Sequence, residues 1–302
     1  MASPDKPPSA TSRLYQPPAV ALAVYPVTLI IGSLFSVLSP TAQGTRDPPS
    51  SHAAALAPSI AADVNLPQHP VNYFARKDNV FNVYFVKIGW LWVTAAFASL
   101  LFTQLPFTTS SSQQPRRIGQ ALARYSLVTL IWYLTTQWFF GPAIIDRGFV
   151  ISGGKCEQVI PLAEEGDASL HTLLTATACK SAGGAWRGGH DVSGHVFMLV
   201  LATAMLAFEA IGAWRAASDV DQASKKSEDG DRELSGPRKW SVWFVAAVTG
   251  LSWWMLLMTA IWFHTWFEKL TGLLIALGTV YTIYILPRRI IPWRDVVGVP
   301  GV

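Results

Sequence analysis

The chain of 302 residues is rich in apolar side chains and poor in charge: 51% of it is hydrophobic, 14% is charged, and it contains 13 Trp and 15 Phe. Soluble domains usually carry about 25% charged residues, so this composition indicates a protein solvated by lipid. It excludes a disordered chain and a disulfide-rich miniprotein, and the net charge of +4 lies in loops, which argues against nucleic-acid binding.

Six apolar stretches approach the roughly 20 residues that a helix needs to cross the hydrocarbon layer. Because the bilayer offers no partners to free backbone groups, each stretch is predicted to be a helix. In chain order they are Ala19–Leu38, Val83–Leu105, Tyr125–Ile145, Ser193–Trp214, Trp240–His264 and Trp266–Leu286. The sequence therefore predicts an all-α membrane protein with six transmembrane helices in residues 19–290.

The loops predict how the chain is oriented. Lys and Arg are more numerous in the loops on the side of the N-terminus, which places both termini in the cytosol. Arg124 is counted among these loop cations, beside the start of the third span. Residues 1–18 are then a disordered cytosolic tail, residues 215–239 a polar cytosolic linker and residues 291–302 a second cytosolic tail. Residues 39–82 and 147–192 are predicted to be lumenal loops.

Both cysteines, Cys156 and Cys179, fall in the second lumenal loop. Two cysteines are too few for a disulfide scaffold or a four-thiolate zinc site. An oxidising compartment would allow them to pair and to tie down the segment before the fourth span. The alternative is a loop with two free thiols, and the sequence leaves both possibilities open.

The segment GGHDVSGHVF, residues 188–197, crowds polar side chains at the entrance of the fourth span. Such groups are costly at a membrane unless they serve a cavity or a pathway. Ser193 is a natural N-cap, and Gly194 removes side-chain bulk, so the first helical turn can offer its N–H groups to an anion such as phosphate. His195 would project beside that anion, with His190 and Asp191 nearby.

A second cluster, WFHTWFEK, lies between spans five and six. His264 and Glu268 are four residues apart, so they share one face if the helix is continuous. The carboxylate can then accept a proton from one imidazole nitrogen and leave the other nitrogen basic. The span count puts His195 and His264 on the same membrane face. Two such histidines fit phosphoryl transfer, in which one ring attacks phosphorus and the other protonates the leaving oxygen.

Less specific interpretations compete with this one. His195 could be a capping residue and His264 an interfacial residue of an aromatic belt. Three histidines and an acid could also hold zinc, but chemistry with two histidines needs no metal, so no cofactor is expected. Lys87 is predicted to snorkel to an interface, and contact with an anion is the alternative. Asn79 and Asn82, near the start of the second span, are assigned no role.

The DVSGH segment, preceded by a cysteine and GG-x-W-x-GG, and the later WFHTWFEKLTG resemble the fat storage-inducing transmembrane (FIT) proteins over about residues 70–290. These are endoplasmic-reticulum membrane proteins needed for lipid-droplet formation and phospholipid metabolism, and they are distant relatives of lipid phosphate phosphatases. The resemblance implies a phosphatase-like active site on the lumenal side. It also implies cleavage of fatty acyl-coenzyme A (CoA) to acyl 4′-phosphopantetheine and adenosine 3′,5′-bisphosphate.

The resemblance also implies roles for individual residues. His195 matches the general acid and His264 the nucleophile, with Glu268 where the phosphatases place an Asp. The expected phosphate-binding arginine is missing, because Met258 stands six residues before His264. Supporting residues are then Asp191, Ser193 and Gly194, and substrate-binding residues are His190, Lys180 and Arg187.

The partners expected from this resemblance are fatty acyl-CoA, neutral lipids and the phospholipid bilayer. Two other functions stay open at this point: a non-enzymatic protein that binds diacylglycerol or triacylglycerol, and a plain lipid phosphate phosphatase. The expected location is the endoplasmic-reticulum membrane, with several spans.

Overall fold

The computed structural model describes residues 19–42, 72–137, 142–158, 175, 178–179, 184–225 and 236–301. The predicted tail of residues 1–18 and most of the first predicted lumenal loop lie outside these ranges. So does Lys180.

The described ranges are mostly helical. The α-helices are α1 (Ala19–Leu38), α2 (Gly89–Thr103), α3 (Leu105–Thr108), α4 (Gln114–Thr136), α5 (Ile144–Ile151), α6 (Gly194–Lys225), α7 (Gly236–Trp262), α8 (Trp266–Val280) and α9 (Ile291–Val297). Two strands, β1 (Lys155–Gln158) and β2 (Gly184–Arg187), form an antiparallel ribbon. Short 3-10 turns are Tyr73–Ala75 and Leu286–Arg288, and π-helical turns are Asn82–Val86 and Tyr281–Ile285.

Helix α6 is the centre of the bundle and packs against α2, α4, α7 and α8. Its residues 196–206 are all buried. This helix is apolar on every side, and a helix of that kind is stable only when neighbours surround it. Because α6 begins at Gly194, the predicted histidine cluster lies at one end of the most enclosed helix.

Helix α1 packs on α7 through small residues. A Cβ at Gly32 would lie 2.4 Å from Ala260 Cβ, so the glycine permits the close approach. The opposite side of α1 exposes large apolar side chains, among them Ile30, Ile31 and Leu34. A soluble protein rarely exposes such a surface, which is the expected surface of a helix that faces lipid.

In the described part of the chain, four helices are long and apolar enough to cross a membrane. They are Ala21–Leu38, Gly194–Ser218, Gly236–Trp262 and Trp266–Arg288. These correspond to the first, fourth, fifth and sixth predicted spans, and the helical membrane architecture is thereby confirmed. The ribbon of β1 and β2 is the one departure from an all-α chain among the described residues.

The second and third predicted spans differ from the helices observed. The predicted Val83–Leu105 contains a π-helical turn and then the 15 residues of α2. The predicted Tyr125–Ile145 overlaps only the second half of α4, whose first half, from Gln114, is polar. Among the described residues, helices of sufficient length therefore match four of the six predicted spans.

Two of the three predicted cytosolic segments, the linker and the second tail, contain helix. Helix α6 continues to Lys225 and α7 begins at Gly236, so the predicted linker is helical at both ends. Residues 291–302, predicted to be a tail, include α9, and Val297 at its end is fully buried. The chain end packs on the bundle because Arg124 Nη1 donates a hydrogen bond to the Val297 carbonyl at 2.8 Å.

A buried ion pair links α4 to α6. Arg124 Nε and Nη2 donate to the two carboxylate oxygens of Glu209 at 2.6 and 2.7 Å, and Tyr284 Oη donates to the same carboxylate at 3.1 Å. The Arg124 and Glu209 side chains are 3% and 2% exposed. The sequence suggested that Arg124 is a loop cation beside a span end. That interpretation is wrong, because the guanidinium has a fixed carboxylate partner inside the bundle.

Candidate active site

The two histidine segments are in direct contact. The backbone N–H of Ser193 donates to the carbonyl of Glu268 at 3.1 Å, which joins the start of α6 to the first turn of α8. Gly272 makes this contact possible, since a Cβ there would lie 2.7 Å from Ser193 O. Ser193 is fully buried, and its Oγ accepts a hydrogen bond from Val196 N at 3.3 Å, as an N-cap does.

His264 lies in the short connection between α7 and α8. Thr265 caps α8: its side chain accepts from Glu268 N, while Glu268 Oε2 accepts from Thr265 N at 2.8 Å, forming a capping box. The same Oε2 lies 3.3 Å from His264 Nδ1. A carboxylate at neutral pH only accepts, so Nδ1 carries the proton and Nε2 is left as the basic nitrogen.

The backbone of His264 is held in an uncommon conformation. Its φ is +59°, in the left-handed region that residues other than glycine seldom adopt. Such a conformation persists only when its surroundings determine it fully. Here the last carbonyls of α7 are fixed, because Lys269 Nζ donates to Ala260 O at 2.7 Å and Ser36 Oγ donates to Ile261 O at 2.5 Å.

Lys269 is a residue whose role the sequence did not indicate. It is only 1% exposed, although lysine is almost never fully buried without partners. Its charge lies at the C-terminal end of α7, where the helix dipole and the free carbonyls favour a cation. The conformation of the His264 connection therefore depends on contacts from both α1 and α8.

His195 is held by Asn82, which belongs to the segment before α2. His195 Nε2 lies 3.2 Å from Asn82 Oδ1. The amide cannot be turned round, because Asn82 Nδ2 donates to Lys77 O at 2.7 Å and a carbonyl only accepts. His195 Nε2 is therefore the donor, and Nδ1 is the nitrogen left for other partners. Asn79 supports this arrangement by accepting from Asn82 N at 2.8 Å.

The role of Asn82, which is 7% exposed, was not predicted from the sequence. The signal was available, because two asparagines near a predicted span end must be hydrogen-bonded if they are buried. Their spacing did not say which group they would meet, since His195 lies 113 positions away.

Two lysines lie near the His195 ring. The ring is within electrostatic range of His264 and of the ammonium groups of Lys77 and Lys87. Both lysine side chains are exposed. The site therefore combines two imidazoles with two accessible cations, an arrangement suited to an anionic ligand.

His190 and Asp191 lie at the edge of the site. His190 Nε2 is 2.9 Å from Thr271 Oγ1, and its ring packs against Phe267 with centroids 4.7 Å apart. Thr271 in turn donates to Glu268 O at 3.0 Å. Asp191 is half-buried. His190 thus contacts the outer face of α8 and does not reach the hydrogen bonds of His264 or His195.

The ribbon anchors the segment that leads to His190. Strand β2 pairs with β1 so that Cys156 lies opposite Trp186 and Lys155 opposite Arg187. Cys156 and Cys179 are joined by a disulfide, with a Cα–Cα distance of 5.7 Å. The backbone of Arg187 belongs to this pairing, and Lys180 lies outside the described residues. Across the described ranges, no group of three or more His, Cys, Asp or Glu could hold a metal ion.

The chain is similar in sequence to a known family of membrane proteins. The sequence profile of the fat storage-inducing transmembrane protein matches residues 70–284, well over half of the chain. The chain belongs to the fat storage-inducing transmembrane family. It is accordingly a multi-pass membrane protein, and the segment that carries Asn82 as well as both histidine clusters lies within the matched region of the family.

Relatives within the family cover most of the chain. The acyl-coenzyme A diphosphatase fit1 of Schizosaccharomyces pombe is 32% identical over 228 residues, which is 75% of this chain and 78% of that protein. The acyl-coenzyme A diphosphatase FITM2 of Bos taurus is 29% identical and covers 71% of this chain and 72% of its own. FITM2 of Mus musculus is also 29% identical, covering 77% and 78%. No solved structure matches the chain.

Proposed function

We propose that this protein is a fatty acyl-CoA diphosphatase of the endoplasmic-reticulum membrane that supports lipid-droplet formation and phospholipid metabolism. The names of its relatives support this activity. One structural observation carries the proposal: the hydrogen bond from Ser193 N to Glu268 O holds the two histidine segments together. Non-enzymatic binding of neutral lipids would not require two imidazoles, one held by a carboxylate and the other by a neutral amide.

The proposed reaction uses the nitrogen that each histidine leaves free. His264 Nε2 attacks one phosphorus of the diphosphate, and the bridging P–O bond breaks to give a phosphohistidine. The departing bridging oxygen takes the proton from Nδ1 of His195, whose charged form is stabilised by the negative charge of the bound diphosphate. Neutral His195 then removes a proton from water, which attacks the phosphohistidine and breaks the P–N bond. One water is consumed, and the products are acyl 4′-phosphopantetheine and adenosine 3′,5′-bisphosphate.

The partners of the two rings support this division of roles. The Glu268 carboxylate stabilises positive charge on His264, as a nucleophile that becomes a charged adduct requires. Asn82 offers His195 a neutral amide, which orients the ring but stabilises its charged form less than a carboxylate would. A general acid must give up its proton readily, so a neutral partner such as Asn82 suits His195 in that role. Asn82 is therefore proposed as a positioning residue for His195.

Lys77 and Lys87 are proposed to bind the phosphates. Their charges act on the His195 ring, and both side chains are exposed to an incoming ligand. They could replace the arginine that the phosphatase pattern expects and that Met258 does not supply. Lys180, Arg187 and His190 are retained as further candidates for substrate binding.

The membrane supplies the remaining part of the site. We propose that α2 and α4 complete a six-span bundle, with both termini in the cytosol and the histidines at the lumenal face. The acyl chain would then lie in the bilayer while the nucleotide part remains in water. This arrangement agrees with the apolar surfaces of the bundle and with the position of His195 at a helix end.

The direct test is hydrolysis of oleoyl-CoA by the purified full-length protein. Wild type should release adenosine 3′,5′-bisphosphate, and His264→Ala and His195→Ala should each lose at least about 100-fold in kcat. Phosphatidic acid, assayed in parallel, should release little inorganic phosphate. Release of nucleotide that is equal in wild type and His264→Ala would refute the proposal, and preferential release of phosphate from phosphatidic acid would favour a lipid phosphate phosphatase.

The role of Asn82 has its own test. Asn82→Ala should lower kcat on oleoyl-CoA about 10- to 100-fold, the usual effect of losing an orienting partner. With a 4-nitrophenyl phosphodiester of acyl phosphopantetheine, whose leaving group needs no proton, the loss should be less than about threefold. Asn72→Ala, which removes an amide cap to Phe74 N in the same segment, is the matched control. Equal losses on both substrates would reduce Asn82 to a structural residue.

A further inference from the structure

A polar cavity lies at the end of the bundle opposite the histidines. It has a volume of about 200 Å³ and is lined by Gln113, Arg116, Arg117, Gln120, Arg294 and Gly298. Two distant segments build it, the start of α4 and the chain end around α9. They are held together by the bond from Arg124 to Val297 O and by Gln120 Nε2, which donates to Asp295 O at 3.3 Å.

This cavity is separate from the candidate active site. The residues that follow Gly298 pack on α6 at Gly212, where a Cβ would lie 2.4 Å from Pro300 Cβ. Gly212 comes 17 residues after His195 in one continuous helix. At a rise of 1.5 Å per residue, the two positions are about 26 Å apart, close to the thickness of the hydrocarbon layer.

The cavity carries a surplus of positive charge. Arg116 lies 3.7 Å from Asp295, but both side chains are more than half exposed, so this pair neutralises little. Within the described ranges, no carboxylate is paired with Arg117 or Arg294. Three guanidinium groups around one space are suited to a phosphate, whose oxygens accept paired N–H groups from arginine.

Helix α9 indicates that the cavity lies at the level of lipid headgroups. Ile291 and Val296 are 61% and 59% exposed, whereas Arg294 on the same short helix lines the cavity. Trp293, a residue type enriched at membrane interfaces, donates its Nε1 hydrogen to Thr282 O. Helices with an apolar and a basic face are typical of the membrane interface.

We propose that this cavity binds the phosphate headgroup of an anionic phospholipid in the leaflet opposite the histidines. The arginines hold the phosphate, the glutamine amides contribute further donors, and the acyl chains lie beside α9 in the bilayer. This site is independent of the diphosphatase activity proposed above, because the ligand is bound and not cleaved.

The test measures stabilisation of the full-length protein in an uncharged detergent. Dioctanoyl phosphatidic acid should raise the unfolding temperature in a saturable manner, whereas dioctanoyl phosphatidylcholine and glycerol 3-phosphate should not. The double variant Arg117→Gln, Arg294→Gln should weaken the apparent affinity at least 10-fold. Arg289 is exposed at the same end of the bundle but does not line the cavity, so the apparent affinity of Arg289→Gln should remain within twofold of the wild-type value.

A second variant keeps the test decisive if the double variant is unstable. Gln113→Glu places a carboxylate beside the cavity at the N-terminus of α4, where a negative charge stabilises a helix. The unfolding temperature of this variant without lipid should therefore not fall. Its affinity for phosphatidic acid should decrease, because the new carboxylate repels the phosphate. Undiminished affinity in Gln113→Glu would overturn the proposal. Equal stabilisation by glycerol 3-phosphate would instead indicate a soluble phosphate ligand and refute the lipid assignment.

Discussion

Glu268 serves two partners through one oxygen, and its substitution by glutamine should separate them. Oε2 accepts from Thr265 N at 2.8 Å and lies 3.3 Å from His264 Nδ1. Glutamine also completes a capping box, because its carbonyl oxygen can accept from the same backbone N–H. The contact with Thr265 also keeps that oxygen in place, so His264 should retain its Nδ1–H tautomer and lose only the negative charge of its partner.

The expected magnitude follows from the type of hydrogen bond that remains. A bond to a charged group contributes about 1.5–3 kcal/mol and a neutral one about 0.5–1.5 kcal/mol, so the variant loses about 1–1.5 kcal/mol of stabilisation of the charged ring. Since 1.4 kcal/mol corresponds to a factor of ten, Glu268→Gln should lower kcat on oleoyl-CoA about 10-fold. The free energy of unfolding should fall by no more than about 1 kcal/mol, which is what a negative charge in the first turn of a helix contributes.

Thr265→Ala provides the complementary variant. It removes the Thr265 hydroxyl that accepts from Glu268 N and should cost about 1 kcal/mol of stability. Its activity should fall less than that of Glu268→Gln, because the carboxylate stays on His264. Initial rates of nucleotide release and unfolding temperatures in detergent measure the two effects. The reasoning fails if Glu268→Gln keeps wild-type kcat, or if its activity falls only in proportion to lost stability.

Further predictions concern the bundle and the ribbon. Arg124→Met leaves the Glu209 carboxylate buried without its charged partner and should lower the free energy of unfolding by about 3–5 kcal/mol. Adding Glu209→Met should recover most of that loss, and additive losses in the unfolding measurement would contradict this. The double variant Cys156→Ser, Cys179→Ser opens a disulfide-closed loop of 23 positions, whose closure stabilises the fold by about 3 kcal/mol through chain entropy. Proteolysis of the ribbon should therefore increase, and an unchanged rate of cleavage would contradict this prediction. Gly272→Ala should lower kcat by more than any loss of folded protein explains, because the added Cβ pushes α8 away from α6. A wild-type kcat in this variant would argue that the close contact between Gly272 and Ser193 O does not matter for activity.

The candidate site could be predicted in part because its two histidine clusters lie at helix boundaries. Boundaries of long apolar helices follow from composition, and the number of crossings fixes which boundaries share a face. The contact between Ser193 and Glu268 agrees with that reasoning. The partner of His195 could not be obtained in the same way, since Asn82 meets it across 113 positions and no periodic pattern records such a contact.

The interpretation of Arg124 as a loop cation was wrong for the same reason, because its partner is distant in the sequence. An arginine near the end of an apolar stretch usually faces water, and nothing around residue 124 in sequence distinguishes it from one that does. Its partner, Glu209, lies 85 positions away on α6. Only the packing of α4 against α6 brings the charges together, and only the returning chain end supplies Val297 O.

The amino-acid sequence by itself determined the helical, lipid-facing character of this protein and the two segments in which its histidines lie, because hydrophobicity and helix boundaries are local properties. The tertiary structure decided which nitrogen of each ring is free, how His264 is held at positive φ, and that three arginines enclose a cavity opposite the site. These features arise from hydrogen bonds and charges between segments far apart in the chain, and their geometry exists only after the helices have packed.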